Sequence, residues 1–249
     1  AIKATDSLQF SRHQVNGMLE SFLRKNPDFL GVYTGWEPNA FDGNDQQYIN
    51  ARGHDETGRF IPYWVRDGSG QISLEPLKDY QKAGAGAYYQ LPKKKRNEVV
   101  LDPFYYQVGS EEVLMVSLVT PVMHNGVFYG ITGVDYAVDF IQEMVNKHEL
   151  YEGNASLAVV SNKGSYVANS ENQDLLGENI TRKYDQADKQ MEALQNGEQQ
   201  IWNHNGRLKV FVPIELGQTN TPWQVRVAVP RGLIVEDANQ MMINQIVIG

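Results

Sequence analysis

The sequence predicts an α+β protein in which a long N-terminal helix precedes two modules of similar plan, each an antiparallel sheet with flanking helices. Apolar residues recur at helical spacing over residues 2–25, which indicates one amphipathic helix. Strand pairs joined by turn residues follow in both halves of the chain. Segments 118–141 and 209–238 also share one order: a strand ending in proline and an aliphatic residue, a turn, a strand and a helix. Two copies of one module explain this repeat most simply.

The first module is predicted to open with short strands and long turns. A strand over 29–36 leads into the turn-rich segment 38–46, which contains three of the residues that favour turns, Pro, Asn and Gly. A hairpin follows, with its strands at 63–66 and 72–77 and the sequence Asp-Gly-Ser-Gly between them. Residues 78–100 show no clear periodicity, and their basic run at 93–96 predicts a solvated loop.

The rest of the chain is predicted to alternate strand pairs with single helices. Two long strands come first, and a helix begins at the end of the second one. The same order then repeats with shorter strands and a polar helix in between. The predicted segments are strands at 113–121 and 127–136, a helix at 137–148, strands at 154–160 and 164–168, a helix at 182–196, strands at 207–214 and 222–229, and a helix from 231 onward.

Composition excludes several classes of function. The 249 residues carry a net charge of −8, which argues against a nucleic-acid partner. The chain has no cysteine, so disulfides, zinc–thiolate sites and thiol catalysis are excluded. Its five histidines show no metal-ligand spacing, and no nucleophile elbow, phosphate loop or dinucleotide fingerprint is present. We therefore expect neither an enzyme nor a metal or cofactor.

The segment 130–140, Gly-Ile-Thr-Gly-Val-Asp-Tyr-Ala-Val-Asp-Phe, is the most informative part of the chain. Asp135 interrupts an apolar strand and shares one face of it with Ile131 and Gly133. A carboxylate in this position is costly to bury without a partner. The partner can be a structural donor, as in a helix N-cap, or a bound cationic ligand. The residues alone leave this choice open.

Several motifs together resemble a known family. They are residues 35–45, 58–64, 101–106, 120–122, 130–140 and 222–230. In order and spacing they are similar to the double-Cache (dCache) extracytoplasmic ligand-binding domain of bacterial transmembrane sensors, mainly chemoreceptors (methyl-accepting chemotaxis proteins). The resemblance implies two PAS-like (Cache) modules after the long helix. It also implies a receptor of the cell inner membrane, with this domain in the periplasm and membrane helices on both sides. A homodimer is expected in the full-length receptor, since the long helix offers an apolar stripe for one.

The resemblance also implies a division of the chain. The long N-terminal helix takes residues 1–28, and a membrane-distal, ligand-binding Cache module takes 29–150. A membrane-proximal module takes 151–240. The apolar end at 241–249 is expected to be a helix that leads to a transmembrane segment, although a frayed terminus is the alternative.

The ligand is expected to be an amine or an amino acid. The family's amino-acid pattern is an arginine, then one residue, then two aromatics. When the aromatics are aligned on Tyr63 and Trp64, the arginine position holds Ile61. Arg59 and Arg66 lie nearby and remain candidate carboxylate clamps. The family's amine-binding aspartate, by contrast, is kept as Asp135.

A second acidic position of the family falls on Tyr106, for which Asp102 is a possible substitute. An aromatic box with one or two carboxylates suits a polyamine, a histamine-like amine or a quaternary ammonium. Two alternatives stay open: an amino-acid or carboxylate sensor, and a pocketless module that contacts a periplasmic binding protein. The predicted ligand-binding residues are Tyr63, Trp64, Tyr89, Asp102, Phe104, Tyr105, Tyr106 and Asp135.

Overall fold

The computed structural model describes residues 10–182 and 187–235. The chain forms two compact units, the first ending at Ala137 and the second beginning at Val138, with Gly217–Thr219 assigned to the first. The division falls at Ala137 rather than near residue 150. The reason is that helix α3 (Val138–Asn146) belongs to the second unit, where Gln142 exchanges two hydrogen bonds with the backbone of Asn169.

The first helix is shorter than predicted. Helix α1 spans Arg12–Lys25, and Ser11 immediately before it has an extended backbone. The Ser11 hydroxyl accepts a hydrogen bond from the backbone N–H of Gln14, whose side chain accepts one from the backbone N–H of Ser11. This capping box fixes the start of the helix, so one continuous helix over 2–25 is excluded. Residues 1–9 lie outside the described part of the chain.

Arg12 fastens helix α1 to the turn-rich loop of the first unit. Its buried guanidinium donates to both carboxylate oxygens of Asp42, at 2.9 and 2.8 Å, and to Asp45 at 2.6 Å. A fourth hydrogen bond of 2.8 Å reaches the carbonyl of Gly58. The fork of the guanidinium suits such multiple contacts, and the pairing lowers the pKa of Asp42.

The first unit is built on a seven-stranded sheet whose pairings are antiparallel. The order is β3-β2-β1-β7-β6-β4, and β5 also pairs with β6. Both long strands that the sequence predicts are present, as β6 and β7. The strands are β1 (Gly31–Trp36), β2 (Pro62–Arg66), β3 (Ile72–Pro76), β4 (Val99–Val100), β5 (Phe104–Val108), β6 (Glu111–His124) and β7 (Val127–Ala137).

Residues 78–100 contain a helix, contrary to the prediction of an irregular segment. Helix α2 spans Ala87–Lys95 and buries Tyr88, Tyr89 and Pro92. The basic run is the last turn of this helix rather than a loop. Cations are favourable at the C-terminal end of a helix, and Lys93 also forms an ion pair of 2.8 Å with Glu37.

The second unit repeats the plan with five antiparallel strands in the order β10-β11-β12-β8-β9. A buried cluster of Val160, Tyr166, Ile180 and Leu194 forms one part of its core. A helical turn at 231–235 follows the last strand. The elements are β8 (Ser156–Val160), β9 (Tyr166–Asn169), α4 (Ala187–Gln195), β10 (Gln200–His204), β11 (Arg207–Ile214) and β12 (Trp223–Pro230), with 3-10 turns at Asp45–Tyr48 in the first unit and at Gln173–Leu175 and Ile180–Arg182 in the second.

The predicted C-terminal helix at 241–249 lies outside the described residues. Within residues 10–182 and 187–235, no helix combines the length and the hydropathy that a bilayer-spanning helix needs.

Replacement of Arg12 by alanine should lower the free energy of unfolding by about 3 kcal/mol, because Asp42 and Asp45 lose the cation that pairs with them. Urea denaturation followed by circular dichroism measures the change. Arg24→Ala is the matched control, since Arg24 forms an exposed ion pair with Glu20 on the same helix. This replacement should lower the free energy of unfolding by less than about 1 kcal/mol. Equal losses in the two variants would contradict the anchoring role of Arg12.

Candidate functional site

Strand pairing brings Asp135 into the centre of the first sheet. Asp135 on β7 lies opposite Gly31 on β1 and opposite Ser117 on β6. Tyr33, two residues after Gly31 on β1 and on the same face of the sheet, lies between Gly133 of β7 and Tyr63 of β2. Residues at even spacing on paired strands share one side of the sheet. Four strands therefore direct their side chains at one point.

The Asp135 carboxylate is buried, with 4% of the residue exposed. Ser117 donates a short hydrogen bond to its Oδ1 atom. Burial raises the pKa of Asp135 to about 7, and the hydroxyl groups of Ser117 and Tyr63 oppose this rise only in part. Near neutral pH the group is thus poised between its acid and its carboxylate, and an added positive charge would favour the carboxylate.

Four tyrosines surround the carboxylate. The rings of Tyr33 and Tyr63, of Tyr33 and Tyr88, and of Tyr63 and Tyr106 meet edge to face with centroids 5.8 Å apart. The Tyr63 hydroxyl is close enough to Asp135 to affect its pKa, yet within the described part of the chain the buried hydroxyls of Tyr33 and Tyr63 have no partner in good hydrogen-bonding geometry. Burial and the charge of Asp135 raise the pKa of both phenols, so both stay protonated. Each hydroxyl can therefore donate or accept a further hydrogen bond.

Two glycines make room for the rings. A Cβ atom on Gly31 would overlap the ring of Tyr63, and one on Gly133 would lie 2.5 Å from the ring of Tyr33. Real side chains do not approach so closely. Any other residue at these two positions would displace the tyrosines from Asp135.

The cavity beside Asp135 is small and closed. Its volume of about 10 Å³ is close to the space that one water molecule needs. Leu77 and Tyr88 cover it from the segment after β3. The Tyr88 hydroxyl donates a 2.6 Å hydrogen bond to the carbonyl of Lys78, and the N–H of Lys78 donates to Tyr106 at 3.4 Å. A ligand larger than water therefore requires this segment, residues 77–88, to move.

Four of the predicted site residues line the cavity: Tyr63, Phe104, Tyr106 and Asp135. Sequence reasoning missed Tyr33, Leu77, Tyr88, Met115 and Ser117. Most of these residues lie near Asp135 because of the register in which their strands pair with β7 and its neighbours, and a single sequence does not reveal that register. The strand 31–36 contains two glycines, Gly31 and Gly35, on the same face as Tyr33, and glycine within a strand was the signal that could have pointed to a close approach there.

The other four predicted residues lie elsewhere. Trp64 faces the opposite side of the sheet, where it packs with Leu23 and donates to Asn16, because neighbouring residues of a strand alternate. Tyr105 is 63% exposed for the same reason. Asp102 lies between β4 and β5, outside the cavity lining. Tyr89 packs in the same core as Tyr33 and Tyr63 but lies outside the cavity lining, and its hydroxyl donates to Glu37.

Both candidate carboxylate clamps are engaged with the protein itself. Arg59 donates twice to the carbonyl of Trp36, at 2.8 and 2.6 Å, and once to Tyr89 at 2.7 Å. Arg66 donates to the carbonyl of Leu23 at 2.9 Å. Ile61, in the family's arginine position, is fully buried in the core. Among the described residues that line the cavity, none is an arginine or a lysine.

This chain belongs to a family of bacterial sensor domains. Residues 15–143, just over half of its length, match the family described as methyl-accepting chemotaxis protein-like, first PDC sensor domain. The match covers the cavity and almost all of the first unit. The expectation of a chemoreceptor-type sensor domain, and not an enzyme, is thereby confirmed.

The chain is also similar to individual proteins. It is 31% identical over 241 residues to the methyl-accepting chemotaxis protein TlpQ of Pseudomonas aeruginosa; the alignment covers 91% of this chain and 34% of TlpQ. The extracellular domain of the putative histidine kinase mmHK1S-Z3 is 31% identical, with a TM-score of 0.80 over 92% of this chain and 83% of that structure. A structure of methyl-accepting chemotaxis protein X is 27% identical, with a TM-score of 0.72 over 89% and 82%.

Replacement of Asp135 by asparagine should make the ligand-free domain more stable at alkaline pH. The pKa of Asp135 rises from 3.8 to about 7 on folding, so between these values the folded state binds more protons and stability falls as pH rises. The amide side chain does not ionise and so removes this penalty, a gain of up to about 4 kcal/mol at pH ~8. Denaturation at several pH values measures it.

Glu112→Gln, which removes an exposed carboxylate from β6 of the same unit, is the control and should keep the wild-type pH profile. If Asp135→Asn and the wild type lost stability in parallel between pH ~5 and ~8, Asp135 would not have a raised pKa.

Proposed function

We propose that this chain is the extracytoplasmic sensor domain of a transmembrane receptor and that its first unit binds a small cationic amine. The observation that carries the proposal is Asp135, a buried carboxylate in a cavity whose lining contains no arginine or lysine among the described residues. Burial of such a group is costly, and an ammonium ion in the cavity would offset the cost. A cationic ligand favours the ionised form of Asp135, and ionisation of Asp135 in turn favours binding of the ligand. Because the pKa of Asp135 is about 7, this coupling acts near neutral pH.

The walls of the cavity support the same ligand class. Tyr33, Tyr63, Tyr88 and Tyr106 present aromatic rings around the carboxylate. Rings next to an ammonium contribute roughly 0.5–2 kcal/mol each. The hydroxyls of Tyr33 and Tyr63 can accept hydrogen bonds from N–H groups of the ligand. Polyamines, histamine-like amines and quaternary ammonium ions all fit this chemistry.

An amino-acid or carboxylate sensor is the second candidate. It would need a cation for the ligand carboxylate, and the two arginines that the sequence offers, Arg59 and Arg66, hold backbone carbonyls. Both would have to leave these bonds, and Arg59 is buried. A pocketless module that contacts a periplasmic binding protein is the third candidate, and it leaves the raised pKa of Asp135 without a role.

Ligand entry is proposed to open residues 77–88. The bonds of Tyr88 and Tyr106 to the backbone of Lys78 hold this segment closed over the cavity. A ligand that prefers one position of the segment shifts the equilibrium between open and closed states. The chain spans about a third of the length of TlpQ. A homodimeric receptor in the inner membrane, periplasmic placement of this domain, a double-Cache division and an output in chemotaxis are therefore part of the proposal.

Isothermal titration with putrescine tests the ligand class. Putrescine should bind the wild-type protein, and its affinity should fall about tenfold per pH unit below pH ~7, where Asp135 becomes protonated. Putrescine itself keeps both charges in this range, because alkyl amines ionise near pH ~10. A panel of ordinary L-amino acids should bind far more weakly.

Asp135→Asn should abolish the binding of putrescine while the domain remains folded, and Glu112→Gln should bind as the wild type does. Tight binding of L-amino acids without any binding of amines would overturn the proposal. So would unchanged putrescine affinity in Asp135→Asn, or the absence of any ligand-induced stabilisation across amines and amino acids.

A further inference from the structure

The second unit carries a groove at the position that corresponds to the Asp135 cavity. In the first unit the hairpin β1–β2 pairs with β7, which pairs with β6; in the second, the hairpin β8–β9 pairs with β12, which pairs with β11. The groove lies on the face of β11, β12 and β8 that bears Lys209, Ala228 and Ser156.

Strand register identifies the counterpart of each site residue. Asp135 and Ala228 stand the same number of residues before the helix that follows their strands. Ser117 pairs with Asp135, and Lys209 pairs with Ala228 in the equivalent place. The second unit thus replaces the buried acid by a neutral residue and the hydroxyl beside it by a cation.

The charges of the groove are opposite to those of the first cavity. Arg207, Lys209 and Arg226 line it, with Glu171 as the one acidic residue of the described lining. Arg207 donates through Nη2 to the Ser156 hydroxyl and the carbonyl of Ala228, and through Nη1 to Glu171 at 2.9 Å. The Glu171 side chain is 62% exposed, so this last contact contributes little and can be exchanged for a ligand carboxylate while the other two remain. A local excess of cations is distinctive in a chain with a net charge of −8.

Two buried polar atoms also point to a ligand. Gln190 of helix α4 lines the groove with 7% of its surface exposed, and within the described residues its Oε1 atom has no hydrogen-bond partner. The Nε atom of Arg207 is buried without a partner in the same part of the structure. Buried polar groups in folded proteins are nearly always paired, so these two lining residues leave one donor and one acceptor that a ligand in the groove could satisfy.

The size and the walls of the groove define the ligand class. Its volume is about 210 Å³, compared with about 10 Å³ beside Asp135. Phe211 and Ala158, on the same face as Lys209 and Ser156, add apolar surface, which an inorganic anion would not use. We propose that the second unit binds a small organic carboxylate, whose oxygens accept hydrogen bonds from Arg207 and Lys209 and whose hydroxyl group, where the ligand has one, donates to the Oε1 atom of Gln190.

Calorimetric titration of the whole chain with succinate, malate and pyruvate tests this site, with inorganic phosphate as the competing anion. At least one carboxylate should bind saturably, and Lys209→Gln should weaken it about tenfold or more, as expected for a hydrogen bond to a charged group. Lys189→Gln removes an exposed lysine of helix α4 outside the groove and should leave the affinity unchanged. Asp135→Asn should also retain carboxylate binding, which separates this site from the amine cavity.

Arg207→Gln is a second variant with the same expected loss, and thermal unfolding checks that each variant folds. The proposal is overturned if no carboxylate binds, if phosphate binds and the carboxylates do not, or if Lys209→Gln and Lys189→Gln have equal affinities.

Discussion

The buried carboxylate of Asp135 is the constraint around which the first unit is arranged. Strands β1, β2, β6 and β7 converge on it, and Gly31 and Gly133 lack side chains so that two tyrosine rings can approach it. Ser117 satisfies one oxygen atom, but no cation compensates the charge among the described lining residues. A site that only needed stability would use an apolar residue here. The cost of this burial is consistent with a site that is completed by a cationic ligand.

Alternation and turn residues in the sequence were enough to predict the strands around this site. The long pair β6 and β7 follows directly from them, and so does the repeated plan of the two units. Helix α2 was missed because Gly84, Gly86 and Pro92 are typical of loops, whereas burial of Tyr88 and Tyr89 stabilises a helix there. The start of α1 was predicted too early because apolar residues keep their helical spacing on the N-terminal side of Ser11. The helix begins at Arg12 because of the local capping hydrogen bonds between Ser11 and Gln14, which the spacing does not show.

The site was only half predictable for a related reason. Asp135 was found because a carboxylate in an apolar strand is conspicuous in any sequence. Its neighbours Ser117 and Tyr33 come from strands far away in the chain, and only their register places them beside it. Trp64 was expected in the site because the family's aromatic pair aligns on Tyr63 and Trp64, and Tyr105 was expected as a further ring of the aromatic box. Adjacent residues of a strand face opposite sides, so each adjoins a lining residue without lining the cavity itself. The same register relation reveals the basic groove of the second unit, which no sequence motif marks.

Direct measurement of the Asp135 pKa, by the ¹³Cγ chemical shift of the aspartate during a pH titration, tests the central claim most directly. The account predicts a midpoint of about 7 in the free protein and a fall toward the usual aspartate range when putrescine is bound. A midpoint near ~4 in the free protein would contradict it, because the carboxylate would then be compensated without any ligand.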